Sequence, residues 1–157
     1  MRLHLHVSVE DLGRSITFYE TLFGTPPSVV KEDYAKWMLE EPRVNLAISQ
    51  RGRPAGVDHV GIQTETPAEL STLAGRLKAA GEATFDQEAT SCCYARSDKS
   101  WVKDPSGLSW ETFYTFGESA SYGEDAVETL SSGACCAPEV AKVEPIRTTS
   151  ACCGQAA

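Results

Sequence analysis

The sequence contains no long apolar run, and it has few positive charges for its size. No segment approaches the roughly 18 consecutive apolar residues of a membrane-spanning helix. The opening residues, MRLHLHVSVEDL, soon become polar and do not resemble a signal peptide, so we expect a cytoplasmic protein without a membrane partner. With 14 Lys and Arg against 22 Asp and Glu, the formal net charge is −8. This charge argues against a nucleic-acid partner, because little would neutralise the phosphates.

Histidine is scarce, and cysteine occurs in an unusual arrangement. The chain has 3 histidines and 6 cysteines, and every cysteine has another beside it: Cys92–Cys93, Cys135–Cys136 and Cys152–Cys153. Adjacent cysteines are poorly placed to form a disulfide with each other, and thiols in the cytoplasm stay reduced. We therefore interpret the cysteines as thiols for metal or metalloid chemistry.

Aromatic residues are almost missing from the C-terminal part of the chain. From residue 117 to 157 the sequence is rich in Ala, Ser, Gly, Thr and acidic residues, and Tyr122 is the only aromatic. Such a composition offers little apolar surface to bury. We predict a folded domain at residues 1–116 and a flexible, poorly ordered tail at residues 117–157, which carries Cys135, Cys136, Cys152 and Cys153.

The folded domain contains one pattern twice. Residues 3–9 alternate between apolar and polar, as in a strand with one buried face, and a helical pattern over residues 11–23 ends at Gly24. The same order returns with a strand over residues 59–63 and a helix that begins near Pro67 and ends at Gly81. Further strand-like segments follow each helix: Tyr34–Leu39 and Val44–Ser49, then Thr90–Ala95, Ser100–Lys103 and Ser109–Tyr114.

We therefore predict an α+β fold in which two βαβββ modules pair within one chain. The modules span about residues 1–50 and 57–116, and the Gly- and Pro-rich segment Gln50–Gly56 joins them.

Three side chains at related places in the two modules suggest a metal site. His4 and His59 occupy equivalent positions on the first strand of each module, and Glu111 lies on the last strand after the turn DPSG. Two histidines and one carboxylate suit Fe(II) in oxygen-using sites, with Mn, Ni, Co or Zn as other occupants. His6 shares a face with His4 and stays open as the first-strand ligand, although His4 aligns better with His59.

Cys92 and Cys93 lie in the segment TSCCYARSDKSW. On a regular strand they would point to opposite faces, whereas in an irregular loop both sulfurs can converge on one soft centre such as trivalent arsenic. Arg96 and Lys99 are near in sequence, so we expect them to lower the pKa of the thiols. The plainer alternative is that both cysteines are small buried apolar residues.

These motifs resemble known families. The segments VEDLGRSITFYETLFG, DHVGI and DPSGLSWE look like the vicinal oxygen chelate (glyoxalase/bleomycin-resistance) superfamily over about residues 1–116. The segment from ATFDQEATSCCYARSDKSW to DPSGLSWE resembles the ArsI family of carbon–arsenic lyases within it. The resemblance implies metal ligands at His4, His59 and Glu111, and trivalent arsenic bound by Cys92 and Cys93.

The same resemblance implies an Fe(II)- and O2-dependent lyase that demethylates methylarsenite and cleaves trivalent aromatic arsenicals to arsenite. Its small-molecule partners would be these organoarsenicals and O2. The alternatives are a non-catalytic cadmium- or arsenic-induced sequestering protein of the same fold, and another enzyme of the superfamily that needs no cysteine pair. The tail cysteines either capture arsenicals or belong to a tolerated extension, and the chain is a monomer or a homodimer.

Overall fold

The computed structural model describes residues 1–123. The predicted tail beyond Gly123, with its two cysteine pairs, lies outside the described residues. None of the helices within residues 1–123 is long and apolar enough to cross a membrane.

The secondary structure follows the same order in each half of the chain. The first half contains β1 (Arg2–Ser8), α1 (Leu12–Phe23), β2 (Val29–Lys31), β3 (Tyr34–Glu40) and β4 (Arg43–Ser49). The second half contains β5 (Gly56–Thr64), α2 (Pro67–Ala79), β6 (Phe85–Cys92), β7 (Ala95–Lys103) and β8 (Ser109–Glu118). Both halves are βαβββ modules, so the predicted α+β fold is confirmed.

All the strands form one 8-stranded, curled sheet with the order β2-β3-β4-β1-β5-β8-β7-β6. Within each module the first and last strands are parallel, as β1–β4 and β5–β8. The two modules meet where β1 runs antiparallel to β5. The first strand of each module therefore lies at the centre of the sheet, beside the first strand of the other.

The two faces of the sheet have different characters. On the outer face of the first module, apolar residues of α1 pack against β3 and β4, with Leu12, Trp37 and Ile48 in the buried cluster. On the inner face, alternate positions of the central strands place polar side chains in the interior, and His4, His6, His59 and Glu111 are all buried there. The fold thus removes a group of titratable side chains from water, which requires that they pair with each other or with a cation.

Local sequence explains where both helices begin and end. Asp11 caps α1 by accepting a hydrogen bond from the Arg14 N–H, and Gly24 ends it with φ 65°. Thr66 caps α2 in the same way by accepting from the Glu69 N–H, and Pro67 occupies its first turn. The predicted helices are confirmed.

The structure corrects the predicted strand Thr90–Ala95. β6 ends at Cys92 and β7 begins at Ala95, and these two residues pair with each other. Cys93 and Tyr94 form the two-residue turn between the strands, with φ values of 55° and 60°. Positive φ at both positions is typical of a type I′ hairpin turn, usually made by Asn and Gly, so the sequence contained no ordinary signal for it.

Two further boundaries differ from expectation. The three-residue strand β2 was not predicted, because it is too short for a clear alternation. The folded region also extends beyond residue 116, since β8 continues to Glu118 and Tyr122 is buried. Tyr122 packs with Tyr34 and Cys92, and an isolated bridge joins Gly123 to Cys92.

Candidate functional site

Three potential metal ligands meet on the inner face of the sheet. His4 on β1 and His59 on β5 approach with their Nε2 atoms 3.2 Å apart. Oε2 of Glu111, on β8, lies 3.7 Å from Nε2 of His4 and 3.6 Å from Nε2 of His59. We call this group the triad.

The backbone and one carboxylate orient the two imidazoles. Nδ1 of His4 donates to the carbonyl of Asn45 at 3.0 Å, and Nδ1 of His59 donates to Oδ1 of Asp58 at 2.9 Å. Asp58 also forms a salt bridge with Arg53. Because both Nδ1 atoms carry hydrogen, both Nε2 atoms can offer lone pairs to a metal at the centre of the triad, which is the usual arrangement of metal-binding histidines.

The pKa values show how strongly these groups interact. Burial lowers the pKa of His4 to about 4, although the charge of Glu111 opposes this shift. Burial also acts to lower the pKa of His59, but its hydrogen bonds and attraction to Asp58 and Glu111 outweigh that effect and raise the pKa to about 9. In the absence of a metal, the triad therefore takes up one proton, on His59.

The donor set fits a divalent metal ion. Three buried ligand atoms that converge need a cation between them, which is the proton on His59 when no metal is bound and can be a metal ion in its place. A metal at about 2.1 Å from three donors, with angles of about 90–110°, requires donor separations of about 3.0–3.4 Å. The observed separations of 3.2–3.7 Å are close to these. Three open positions would remain in an octahedral site.

His6 lies next to the triad. A ring nitrogen of His6 is within 4.8 Å of ring nitrogens of both His4 and His59, and its ring centroid is 4.8 Å from that of His59. Nε2 of His6 forms a hydrogen bond with the Ser49 hydroxyl at 2.9 Å. The geometry favours His4 over His6 in the triad, because the His4 Nε2 faces both His59 and Glu111.

A buried lysine fixes the other oxygen of Glu111. Nζ of Lys99, on β7, donates to Oε1 of Glu111, so only Oε2 faces the histidines. Burial would raise the pKa of Glu111, but Lys99, His59 and His4 hold it well below its ordinary value. Sequence analysis did not identify this pair. The strand pattern contained a signal for it, since β7 and β8 are adjacent and both side chains occupy the face shared with Trp101 and Phe113.

The thiol pair lies in the turn between β6 and β7. The sulfurs of Cys92 and Cys93 are 3.2 Å apart, so they converge although they are not joined by a bond. Contacts across the two modules hold the turn: the Tyr94 hydroxyl donates to Oδ1 of Asp33 at 2.7 Å, and Arg51 pairs with the same carboxylate.

The structure contradicts the expected effect of Arg96 and Lys99 on the thiols. The hydrogen bond with Cys92 and burial raise the pKa of Cys93 well above its ordinary value, while Lys99 opposes this only in part. Arg96 is exposed and faces the ring of Phe116 on the outer side. The resting Cys93 thiol is therefore protonated, and binding of a soft ligand through its sulfur must release that proton.

The thiol pair and the triad are neighbours in the interior. Cys92, Cys93 and Tyr94 pack in one cluster with Tyr34 and Ala47. The ring of Tyr34 contacts residues next to both groups, since its centroid is 6.2 Å from that of His6, beside the triad, and 5.8 Å from that of Tyr94, in the thiol turn. A cavity of about 390 Å³ opens at the turn and is lined by Cys93, Tyr94 and Lys36 among others.

Of the aromatic residues Trp37, Tyr94, Trp101, Trp110 and Phe113, two lie against the triad. Trp101 is 5.1 Å from the His59 ring and Phe113 is 5.1 Å from the His4 ring. Tyr94 forms part of the thiol turn. Trp37 belongs to the core under α1, and Trp110 lines a cavity beside α2.

Comparison with known proteins agrees with this architecture. A trivalent organoarsenical cleaving enzyme from Bacillus sp. (strain MD1) is 44% identical over 115 residues, covering 71% of this chain and 71% of that protein. One from Thermomonospora curvata is 38% identical over 139 residues, covering 87% and 89%. The cadmium-induced protein CadI of Mycobacterium tuberculosis is 32% identical over 123 residues, covering 78% and 81%.

Solved structures show the same fold at lower identity. Homoprotocatechuate 2,3-dioxygenase from Brevibacterium fuscum superimposes with a TM-score of 0.58 at 21% identity, covering 78% of this chain and 39% of that chain. The family model of the glyoxalase/bleomycin resistance protein/dioxygenase superfamily matches residues 2–112, a range that includes the triad and the thiol pair. The paired βαβββ modules, the relatives and this match together establish that the chain belongs to the glyoxalase/bleomycin resistance protein/dioxygenase superfamily.

Proposed function

We propose that this protein is an Fe(II)- and O2-dependent lyase that cleaves the carbon–arsenic bond of trivalent organoarsenicals and so confers resistance to them. Its substrates would be methylarsenite, which it demethylates, and trivalent aromatic arsenicals, which it cleaves to arsenite. The observation that carries the proposal is the position of a convergent thiol pair beside a triad of two histidines and one carboxylate. The names of the relatives from Bacillus and Thermomonospora support the substrate class.

Each part of the site has a separate role in this proposal. Cys92 and Cys93 bind arsenic through two sulfurs, because trivalent arsenic takes three substituents and keeps its carbon as the third. His4, His59 and Glu111 hold Fe(II), which when bound supplies the activation of O2. Trp101 and Phe113 exclude water around the triad, and Lys99 keeps Glu111 ionised with one oxygen available.

The overall reaction balances without a further reductant. Methylarsonous acid and one molecule of O2 contain the same atoms as arsenous acid and formaldehyde. The C–As bond breaks, the carbon is oxidised and arsenic stays trivalent. The arsenous acid leaves when the two As–S bonds exchange with water and both thiols recover their protons.

The test is turnover by protein loaded with Fe(II) under anaerobic conditions. On addition of O2 and methylarsenite, we expect arsenite to form in equal amount to the O2 consumed. Cys93→Ser should lose this turnover while it still binds Fe(II), and the double variant Cys135→Ser/Cys136→Ser is the matched control, which should retain it. Full activity of Cys93→Ser would rule out the assignment.

The second candidate is a non-catalytic protein that sequesters cadmium or arsenic through its thiols, and the similarity to CadI favours it. Such a protein would bind methylarsenite through Cys92 and Cys93 but would consume no O2. The same experiment therefore separates the two functions, since only the lyase converts the bound organoarsenical.

A further inference from the structure

Ala47 occupies the position in the first module that Glu111 occupies in the second. The parallel pairs β1–β4 and β5–β8 are equivalent, because each joins the first and last strands of its module. Glu111 lies beside Gly61 in one pair, and Ala47 lies beside His6 in the other. A symmetrical site would carry a second carboxylate here. The methyl group of Ala47 cannot bind a metal, so this side of the triad is open to other ligands.

A buried polar atom without a partner lies on that same side. Among the described residues, Nδ1 of His6 has no hydrogen-bond partner, and the side chain is only 2% exposed. His6 lies beside Ala47 in the register of β1 and β4. Buried polar atoms are nearly always satisfied, so this nitrogen indicates a polar ligand beside His6 and Ala47.

The thiol pair approaches the triad from this side as well. Ala47 and Cys92 belong to one buried cluster with Tyr34, and the ring of Tyr34 is also close to His6. A ligand between Ala47 and the triad would therefore lie between the metal and the arsenic. Glu111 and Lys99, on β8 and β7 of the second module, form a buried ion pair beside the triad.

We propose that His6 is a positioning residue that holds, through Nδ1, a small oxygen-donor ligand of the metal on the side that Ala47 leaves open. The inference rests on the metal centre of the proposed function and identifies where that centre receives water or dioxygen. His6 does not bind the metal. Its second nitrogen is fixed by Ser49, so the ring cannot turn away and Nδ1 stays directed at the ligand.

The test uses nitric oxide as a probe for dioxygen, because it binds Fe(II) and gives an electron paramagnetic resonance signal without turnover. The full-length protein loaded with Fe(II) is titrated with nitric oxide. His6→Phe should keep its Fe(II) content and bind nitric oxide about tenfold more weakly, the effect of one lost hydrogen bond to a polar ligand. His6→Gln, which keeps a polar group, should recover part of the affinity. Unchanged affinity in His6→Phe overturns the proposal, and so does loss of Fe(II), which would make His6 a ligand.

A second variant tests the open side from the other strand. Ala47→Glu should add a carboxylate ligand, slow the loss of Co(II) in a chelator challenge and abolish nitric oxide binding to the Fe(II) protein. Ala47→Ser changes the same position without a strong ligand and should bind nitric oxide like the unaltered protein. If folded Ala47→Glu binds nitric oxide normally, the open side lies elsewhere and the proposal is wrong. Failure of the unaltered protein to bind Fe(II) would overturn the proposed function together with this inference.

Discussion

His4 and His59 have the same residue type and similar burial, but their neighbours shift their pKa values in opposite directions. Asp58 is adjacent to His59 and 2.9 Å from its Nδ1, whereas the partner of His4 is a neutral backbone carbonyl. A carboxylate stabilises the protonated ring more than a carbonyl does. Asp58, together with the hydrogen bond between His59 and Glu111, thus favours His59 over His4 as the histidine that holds the proton of the metal-free triad.

Metal binding should therefore depend on pH through His59. The metal must displace the proton that His59, with a pKa of about 9, holds at neutral pH. His4, with a pKa of about 4, is already neutral at pH 6 and releases no proton. Between about pH 5 and pH 9 one proton leaves for each metal bound, so the apparent affinity should rise about tenfold per pH unit. Above about pH 9 the affinity should level off.

Competition between the protein and a chelator for Co(II), measured at several pH values, checks this expectation. Asp58→Asn serves as the comparison, because loss of its charge lowers the pKa of His59 and should flatten the dependence near neutral pH. An affinity that does not change between pH 6 and pH 8 in the unaltered protein would contradict the prediction.

At the scale of elements, the contact between β5 and β8 sets the distance between His59 and Glu111. Gly61 lies opposite Glu111 in the register, and a Cβ atom at position 61 would come within 2.1 Å of the Glu111 carbonyl oxygen. That oxygen belongs to the backbone of a paired strand, so it cannot move aside without separating the strands. A glycine at this position lets two ligand-bearing strands approach closely.

Gly61→Ala should therefore disturb the triad without changing any ligand. We expect metal affinity to fall by about 10- to 100-fold, as for other changes that displace ligands indirectly, and unfolding to occur at a lower denaturant concentration. Gly75→Ala is the control, because a Cβ atom there meets nothing within 4 Å and alanine favours the helix. Isothermal titration with Co(II) measures the difference, and equal affinities in the two variants would refute this role of Gly61.

The elements also show how far the sequence could predict the structure. The alternation in Leu3–Val9, the helical spacing of apolar residues over residues 11–23 and the stop at Gly24 are local signals, and they correctly predicted β1 and α1. The turn at Cys93 and Tyr94 was missed because neither residue type favours positive φ. Tertiary contacts, such as that between Tyr94 and Asp33, stabilise this turn, and they join parts of the chain that are far apart in sequence.

The candidate site likewise combines features that local sequence predicts with features that depend on tertiary contacts. The spacing of His4, His59 and Glu111 followed from the repeat, so these residues could be selected before their distances were known. The pairing of Lys99 with Glu111 depends on the order of strands in the sheet, and the raised pKa of Cys93 depends on burial. Neither property is encoded in a short stretch of sequence.

At the scale of the whole molecule, each module supplies a different part of the site. The first module contributes His4, the open side at Ala47 and the Asp33 carboxylate that holds the turn. The second contributes His59, Glu111 and the thiol pair. The last described residue, Gly123, bridges to the backbone of Cys92 in the thiol pair.

The composition of the tail gives its cysteines a testable role. Cys135–Cys136 and Cys152–Cys153 repeat the adjacent-thiol chemistry of Cys92–Cys93, and each pair can bind one trivalent arsenic with release of two water molecules from arsenous acid. We expect the full-length protein to bind three arsenic atoms per chain by native mass spectrometry. The variant with Ser at positions 135, 136, 152 and 153 should bind one and keep its turnover, because the Cys92–Cys93 pair is intact. Binding of a single arsenic by the unaltered chain would show that the tail takes no part in capturing arsenicals.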